Sequence, residues 1–238
     1  MTRLWRRRTI MVIPMTITGI SLQRLLTWLS PAFPTGGFAY SHGLEWAVEA
    51  GDITNRTQLV DWVSDLVLHG SLWSDSVLTR HACRTSEKQA LHELAAFACA
   101  CAASRERYSE MLAQGAAFRR AVGVWHEMPE AELDADGEVC WPLPVALGAA
   151  FRAEGLDEEA ACLAALHAAV AALVSAAVRL VPLGQTDGLR AMASLETLVL
   201  QTVQRSRTAT LDDVGGMCLR SDIAAMRHET QQTRLFRT

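Results

Sequence analysis

The sequence predicts an all-α fold, a single-domain bundle of roughly nine to eleven helices. Apolar residues recur at three- and four-residue spacing, and Leu59, Val63 and Val67 would share one face of a helix. Glycines such as Gly51 and Gly155 follow these periodic stretches, where they favour a helix end in the left-handed conformation. Half of the 238 residues are hydrophobic, which is enough to bury one large core.

Each helix in the first half of the chain is predicted from its apolar spacing and from breaks at its ends. The predicted helices are Ile20–Leu29, Ser41–Ala50, a helix capped by Thr54 that breaks at His69-Gly70, Leu72–Cys83, Glu87–Ala103 and Arg105–Val124. Charges of alternating sign open the last of these, at Arg105, Glu106, Arg107 and Glu110. This pattern is typical of an exposed helix face with ion pairs worth about 0.2–0.5 kcal/mol each.

The second half begins with a long irregular connection over residues 126–144. Pro144 then suits the first turn of a helix that ends at about Glu154. Next comes an alanine-rich helix, Ala160–Val178, whose length approaches a membrane span of about 20 residues. Its many alanines and the central His167 indicate a core helix instead. Two further helices are predicted at Gly188–Gln204, capped by Asp187, and at Leu211–Met226.

The chain divides into three predicted regions: an N-terminal extension (1–19), one helical domain (20–225) and a partner-docking tail (226–238). The extension carries arginines and a short apolar run, as a signal peptide does. Pro14 interrupts that run, and no small-residue cleavage site follows. We therefore expect residues 1–14 to be a flexible extension, or Met15 to be the true start, and we expect no membrane insertion.

Net charge and cysteine usage exclude some classes of function. The formal charge of −4 gives no basic excess to neutralise phosphates, so a nucleic-acid partner is not expected. The six cysteines form no C-x-x-C pair and lie in apolar surroundings. Buried thiols of this kind are typical of a reducing compartment, which predicts a cytoplasmic protein.

The least generic stretch is the loop from Ser30 to Glu45. Pro31 and Pro34 end the preceding helix, and paired glycines follow them. No Lys-Ser/Thr follows these glycines, so a phosphate-binding loop is not indicated. Ser41, His42 and Glu45 are the residue types of a hydrolase triad, which leaves a hydrolase using Ser41 and His42 as an alternative. Because no G-x-S-x-G elbow is present, a helix N-terminus explains the same residues better.

Three separated motifs resemble the UreF family of urease accessory proteins. They are S-P-A-F-P-T-G-G-F-A-Y-S-H-G-L-E from residue 30, R-L-V-P-L-G-Q-T-D-G from residue 179 and M-R-H-E-T-Q-Q-T-R-L-F-R from residue 226. Their order and spacing match across residues 20–238. Two departures are residues 1–14, which have no counterpart in the family, and Gln232, which stands where the family often has tyrosine.

The resemblance implies an all-helical, non-catalytic adaptor that forms a homodimer. It implies three partners: a UreD-type (UreH-type) scaffold, a UreG-type GTPase and the urease apoprotein. In that family, GTP hydrolysis by the partner drives nickel into urease. No durably bound cofactor is implied, because nickel is handled in transit.

The resemblance also assigns expected roles to individual residues. The loop residues Tyr40, Ser41, His42, Gly43 and Glu45 are expected to face a partner or the second copy. Arg179 and Gln185 belong to the second motif, with Arg179 expected to contribute to GTPase coupling. The tail is expected to become ordered when the scaffold binds, through Arg227, His228, Glu229, Arg234, Phe236 and Arg237. No catalytic residue and no stable metal site are expected. His42 and His228 are either transient nickel contacts or hydrogen-bonded interface residues.

Overall fold

The computed structural model describes residues 18–128 and 141–238. Within these ranges the chain forms ten α-helices and no β-strand, which confirms the predicted all-α class. The helices are α1 (Gly19–Trp28), α2 (Leu44–Glu49), α3 (Arg56–His69), α4 (Ser71–Arg84), α5 (Lys88–Ala100), α6 (Arg105–Val122), α7 (Leu143–Ala153), α8 (Glu158–Leu180), α9 (Gln185–Arg205) and α10 (Leu219–His228). The predicted extension at residues 1–14 and most of the connection at 126–144 lie outside the described residues.

Side-chain caps fix several helix starts. Ser104 and Asp157 each accept a hydrogen bond from the backbone N–H three residues on, which satisfies a donor that the first turn leaves open. The predicted cap at Thr54 is wrong by one position. Asn55 is the N-cap of α3 and accepts from the Gln58 N–H at 3.1 Å, while the Gln58 side chain accepts from the Thr54 N–H at 2.9 Å. This reciprocal pair resembles a capping box.

Two other predicted helix starts differ from the structure. The helix predicted from Ser41 begins at Leu44, because His42 and Gly43 take positive φ values of 56° and 75° and so leave the helical region. The helix predicted from Gly188 begins earlier, at Gln185, with Gly184 as its N-cap. Asp187 therefore does not cap α9. It lies in the first turn, where a carboxylate meets the positive end of the helix dipole.

The predicted helix Leu211–Met226 is two elements. Thr210 and Asp213 form a capping box around a single 3-10 turn, Leu211–Asp213, and α10 begins only at Leu219. The glycines between them explain the interruption. Gly215 has φ +91°, and a Cβ on Gly216 would lie 2.0 Å from the His69 carbonyl oxygen. The chain can cross the end of α3 here only with glycine.

The hydrophobic core has two parts that share α4. The first part surrounds α8, which packs against α9, α2 and α4, and Leu173 lies within it. The second part surrounds α7, which packs against α4 and α6, and Phe151 lies within it. Leu72 of α4 belongs to the first part and Leu78 to the second. Helix α4 therefore joins the two parts of the core, and so does α8, whose Cys162 belongs to the first part and Ala161 to the second.

The alanine-rich helix was predicted at Ala160–Val178 and is found as α8, Glu158–Leu180. It is the one described helix that is long and apolar enough to cross a membrane. In this fold its apolar face is covered by α9 and α2, so burial in the core accounts for its composition. A Cβ on Gly188 of α9 would lie 2.8 Å from Val178, which shows how closely the two helices approach.

Candidate functional site

The loop that follows α1 turns sharply against α10. His42 is the one non-glycine residue with positive φ in the described part of the chain. Its neighbour Gly43 has no room for a side chain, because a Cβ there would lie 2.6 Å from the Ala225 backbone nitrogen. The loop is therefore held against the helix that leads into the tail. No pattern in the sequence predicts this contact between the loop and α10.

The tail folds back along this loop. The Ala39 carbonyl accepts a hydrogen bond from the Arg237 N–H at 2.7 Å, and the Thr238 carbonyl accepts one from the Ser41 N–H at 2.7 Å. The Ser41 hydroxyl donates to the same Thr238 oxygen. We expected the tail to become ordered when a partner binds, but the structure places it against its own domain. The predicted boundary between residues 225 and 226 also falls within α10.

Glu45 at the start of α2 binds the tail backbone. It is 6% exposed, and its two carboxylate oxygens accept the N–H groups of Leu235 at 2.7 Å and Phe236 at 2.9 Å. Such charge-assisted hydrogen bonds are about twice as strong as neutral ones. A negative charge at the N-terminus of α2 is also favoured by the helix dipole.

His228 bridges two carboxylates. Its side chain is fully buried, with Nε2 3.1 Å from Glu45 and Nδ1 2.7 Å from Glu106. Each of its two ring nitrogens therefore faces a different carboxylate. The guanidinium of Arg234 also pairs with Glu106, at 2.8 Å. Glu45, Glu106, His228 and Arg234 form what we call the tail clamp.

A second cluster of polar side chains, formed by Glu110, Arg107 and Asp75, lies next to His42. Glu110 accepts a hydrogen bond from the Thr238 hydroxyl at 3.1 Å and pairs with Arg107 at 3.4 Å, and Arg107 also pairs with Asp75. Burial raises the pKa of Glu110, an effect that Arg107 opposes. Asp75 brings α4 into this group, which therefore ties the tail to two helices.

His42 is neutral in this setting. Burial, together with the nearby charge of Arg107, lowers its pKa from 6.5 to about 3. Its Nδ1 lies 3.6 Å from Glu110, which is too long for a hydrogen bond, and its Nε2 is buried with no hydrogen-bond partner. The ring borders a cavity of about 60 Å³ that Asp75 and Thr238 also line. That volume is enough for one or two water molecules.

The expectation that Arg105–Glu110 forms an exposed face is wrong for three of the four charged positions. Glu106, Arg107 and Glu110 are buried, and each is paired with a residue from another element. A signal was present in the sequence. Glu106 and Glu110 are four residues apart, so on an exposed helix they would repel each other. Two like charges on one face indicate partners from elsewhere in the chain.

Arg179 connects the end of α8 to both the loop and the tail. Its Nη2 donates to the Phe38 carbonyl at 2.9 Å, and its guanidinium lies 4.5 Å from the centre of the Phe236 ring. A cation over an aromatic face is worth about 0.5–1 kcal/mol at an exposed site. The structure thus brings together residues from all three motifs.

The remaining predicted site residues are placed less centrally. Tyr40 is buried beside the tail and lines a cleft of about 400 Å³ with Arg237. Glu229 lines the same cleft and accepts the Arg105 N–H at 3.0 Å. Arg227 is exposed on α10. Gln185 is exposed at the start of α9, and the described contacts do not bring it into the tail clamp.

The alternative of a hydrolase does not match this geometry. The Ser41 hydroxyl donates to the Thr238 carbonyl, so it is not aligned on the His42 ring. Among residues 18–128 and 141–238 there is also no group of three or more His, Cys, Asp or Glu side chains that could hold a metal ion. These features define an all-helical protein whose buried polar clamp is a structural contact that holds the tail against the loop.

Comparison with known proteins agrees with that class. The model of the UreF family matches residues 53–196. Urease accessory protein UreF of Rhodopseudomonas palustris (strain BisB18) is 45% identical over 224 residues, covering 92% of each chain. The UreF protein of Mesorhizobium japonicum is 45% identical over 222 residues, covering 93% of this chain and 98% of its own. That of Bradyrhizobium sp. (strain ORS 278) is 47% identical over 224 residues. The chain belongs to the UreF family of urease accessory proteins.

Proposed function

We propose that the chain is the adaptor of a urease-maturation complex. In this proposal it joins a UreD-type (UreH-type) scaffold and a UreG-type GTPase, and it couples GTP hydrolysis to nickel insertion into the urease apoprotein. The observation that carries the proposal is the convergence of the loop, Arg179 and the tail on one folded surface. The complex assembles in the cytoplasm, without nucleic acid and without a membrane.

The composition of this surface supports a role in protein binding. Phe38, whose carbonyl accepts from Arg179, is 71% exposed, and Leu235, which precedes Phe236, is 78% exposed. Arg237 is exposed beside them. Aromatic and apolar side chains next to arginine are typical of the central residues of an interface. We assign this surface, called the loop-tail surface, to the scaffold and GTPase partners.

A second surface supports the homodimer. Leu219, Ile223 and Met226 lie four and three residues apart on α10 and form one apolar stripe, and each is at least half exposed. Met217, just before the helix, is 74% exposed. A contiguous apolar stripe of this kind marks a protein contact. We assign the α10 stripe to the second copy of the chain.

Nickel enters this proposal as cargo. Ni(II) binds neutral imidazole well, and His42 offers a neutral ring with an unpaired Nε2 at the edge of the small cavity. Both nitrogens of His228 already lie against carboxylates. His42 is therefore the better placed of the two transient nickel contacts, and His228 would contact nickel only after the tail clamp opens.

Co-purification with UreD-type and UreG-type partners from cells that make urease tests the proposal. The tail could be removed by truncation after Ala225, but this would also delete His228, which pairs with the buried carboxylates of Glu45 and Glu106. A single substitution avoids that loss. We expect Arg179→Ala to reduce GTPase recovery and urease nickel content while the isolated chain stays folded. Arg190→Ala changes an exposed arginine on α9 and serves as the matched control. Wild-type recovery and wild-type nickel loading with Arg179→Ala would refute the role of the loop-tail surface.

A further inference from the structure

A cleft of about 400 Å³ lies between the start of α6 and the end of the tail. Arg105 and Ser109 line it from α6, whereas Tyr40 lines it from the loop and Arg237 from the tail. We call it the α6–tail cleft. Its volume falls within the range of about 300–1,000 Å³ that is typical of ligand-binding sites. The cleft is therefore large enough to admit a side chain of another molecule with its adjoining backbone.

Several side chains that line this cleft are hydrogen-bond donors without a partner. Within residues 18–128 and 141–238, the guanidinium groups of Arg105 and Arg237 and the hydroxyl of Ser109 have no hydrogen-bond or ion-pair partner. All three residues are exposed. A guanidinium carries five N–H donors and no acceptor. Positive charge and open donors are therefore concentrated on the walls of the cleft.

Tyr40 provides the most specific of these donors. The residue is only 9% exposed, so packing fixes the position of its ring. Its hydroxyl lies at the cleft and has no hydrogen-bond partner in the part of the chain that the structure describes. A buried tyrosine hydroxyl usually finds a partner. An unpartnered hydroxyl at the wall of an open cleft indicates an acceptor that comes from outside the chain.

Two acidic residues also line the cleft, but both are already paired. Glu106 pairs with His228 and Arg234 in the tail clamp. Glu229 accepts the backbone N–H of Arg105 at 3.0 Å. Their negative charges determine which anion fits, because a phosphate group with about two negative charges is repelled more strongly than a carboxylate with one. The cleft is therefore better suited to a carboxylate than to a phosphate.

We propose that the α6–tail cleft binds the carboxylate of an aspartate or glutamate from a protein partner. A planar guanidinium binds a carboxylate through two parallel hydrogen bonds, and the Tyr40 hydroxyl supplies a further donor. The positive end of the α6 dipole, at Arg105, favours the same anion. Because the net charge of the chain is −4, attraction to an acidic segment is a property of this cleft and not of the whole surface.

The identity of the partner rests on the proposed function, whereas the chemistry of the cleft does not. Arg237 lies in the loop-tail surface that we assign to the scaffold and GTPase partners, and its backbone N–H is bonded to the Ala39 carbonyl of the loop. The cleft is thus continuous with that surface. A partner seated there can place an acidic side chain in the cleft while the tail stays in its clamp.

The test measures the binding of fluorescein-labelled peptides to the full chain by fluorescence anisotropy. The two probes are a peptide of alternating glutamate and glycine and a peptide of the same length with glutamine in place of glutamate. The glutamate peptide should bind and the glutamine peptide should not. Arg105→Gln and Tyr40→Phe should each weaken binding by about tenfold or more, because each removes a hydrogen bond to a charged group. Arg120→Gln, at an exposed position near the other end of α6, should bind as the wild type does.

These variants should keep the fold, because Arg105 is exposed and Tyr40→Phe retains the buried ring; thermal melting by circular dichroism checks this. Competition with free anions identifies the preferred group, and acetate should displace the glutamate peptide more effectively than inorganic phosphate does. The proposal would be overturned if the wild-type chain did not bind the glutamate peptide, if Arg120→Gln weakened binding as much as Arg105→Gln, or if phosphate were the better competitor.

Co-purification with UreD-type and UreG-type partners separates this inference from the proposed function. Arg105→Gln should lower the recovery of a partner, whereas Arg120→Gln should not. If the wild-type chain binds the glutamate peptide but recovers neither partner, the proposed function fails and the carboxylate site stands. If Arg105→Gln loses the peptide but recovers both partners fully, the proposed function stands and the role of the cleft in partner binding is refuted.

Discussion

Glu45 and His228 are 183 positions apart in the chain, yet Oε2 of Glu45 lies 3.1 Å from Nε2 of His228. The same carboxylate also accepts the backbone N–H groups of Leu235 and Phe236. One side chain at the start of α2 thus determines where the tail lies. The loop motif and the tail motif are two halves of a single polar contact.

Glu45→Ala should release the tail and destabilise the protein by about 3–5 kcal/mol, because it leaves Nε2 of the buried His228 and the backbone N–H groups of Leu235 and Phe236 without their partner. Urea unfolding gives the free energy, and hydrogen exchange should show the amides of Leu235 and Phe236 losing protection. Glu196→Ala, at an exposed position on α9, should change stability by no more than about 0.5 kcal/mol. Unchanged exchange at the two tail amides would mean that Glu45 does not hold the tail.

His42 should make the fold sensitive to acid. Its folded-state pKa of about 3 lies below the ordinary value of 6.5, so as the pH falls through 6.5 the unfolded chain takes up a proton that the folded chain does not. The free energy of unfolding is therefore unaffected by His42 well above pH 6.5, and it falls as the pH drops below 6.5. The loss is about 1.4 kcal/mol per pH unit, or about 2 kcal/mol by pH 5.

His42→Asn should flatten this pH dependence, because asparagine tolerates positive φ and does not titrate. The raised pKa values of the buried Glu106 and Glu110 act in the opposite direction, since a proton binds these carboxyls more readily in the folded state. They are present in both proteins, so subtracting the two unfolding curves isolates His42. Parallel pH profiles between pH 7.5 and 5 would contradict the assignment.

Gly43→Ala should destabilise the protein more than Gly51→Ala. Both glycines have positive φ, +75° and +80°, so each alanine carries a similar backbone strain of about 1 kcal/mol. A Cβ at Gly43 also meets the Ala225 backbone at 2.6 Å, whereas nothing lies within 4 Å of one at Gly51. The difference should be about 1–3 kcal/mol in thermal or urea unfolding. Equal losses would show that the loop is not pressed against α10.

Helical periodicity was sufficient to predict much of the fold. The stripe of α3, the alanine-rich α8 and the helix-ending glycines Gly51 and Gly155 are all found, because each depends on residues close in sequence. The interruption before α10 was not predicted. The apolar pattern continues across it, whereas the turn depends on a backbone contact between Gly216 and His69.

The polar site was harder to predict, for a physical reason. The charge pattern indicated an exposed start for α6, and the tail was expected to become ordered only when a partner binds. A charged side chain can be buried when its partners are supplied, and here Glu106 of α6 obtains His228 and Arg234 from the tail. Those pairs span more than a hundred residues, so the spacing of Glu106 and Glu110 can indicate that partners are needed but cannot identify them. Family motifs indicated the right segments but not their mutual contact.

The helix α4 supplies side chains to both parts of the core. Neither part can lose its packing without exposing one face of this shared helix, so the loss of one part removes support from the other. The bundle should therefore behave as one cooperative unit in calorimetry, with equal calorimetric and van't Hoff enthalpies and without a half-unfolded intermediate. A small movement of α4 would also be felt in both parts of the core.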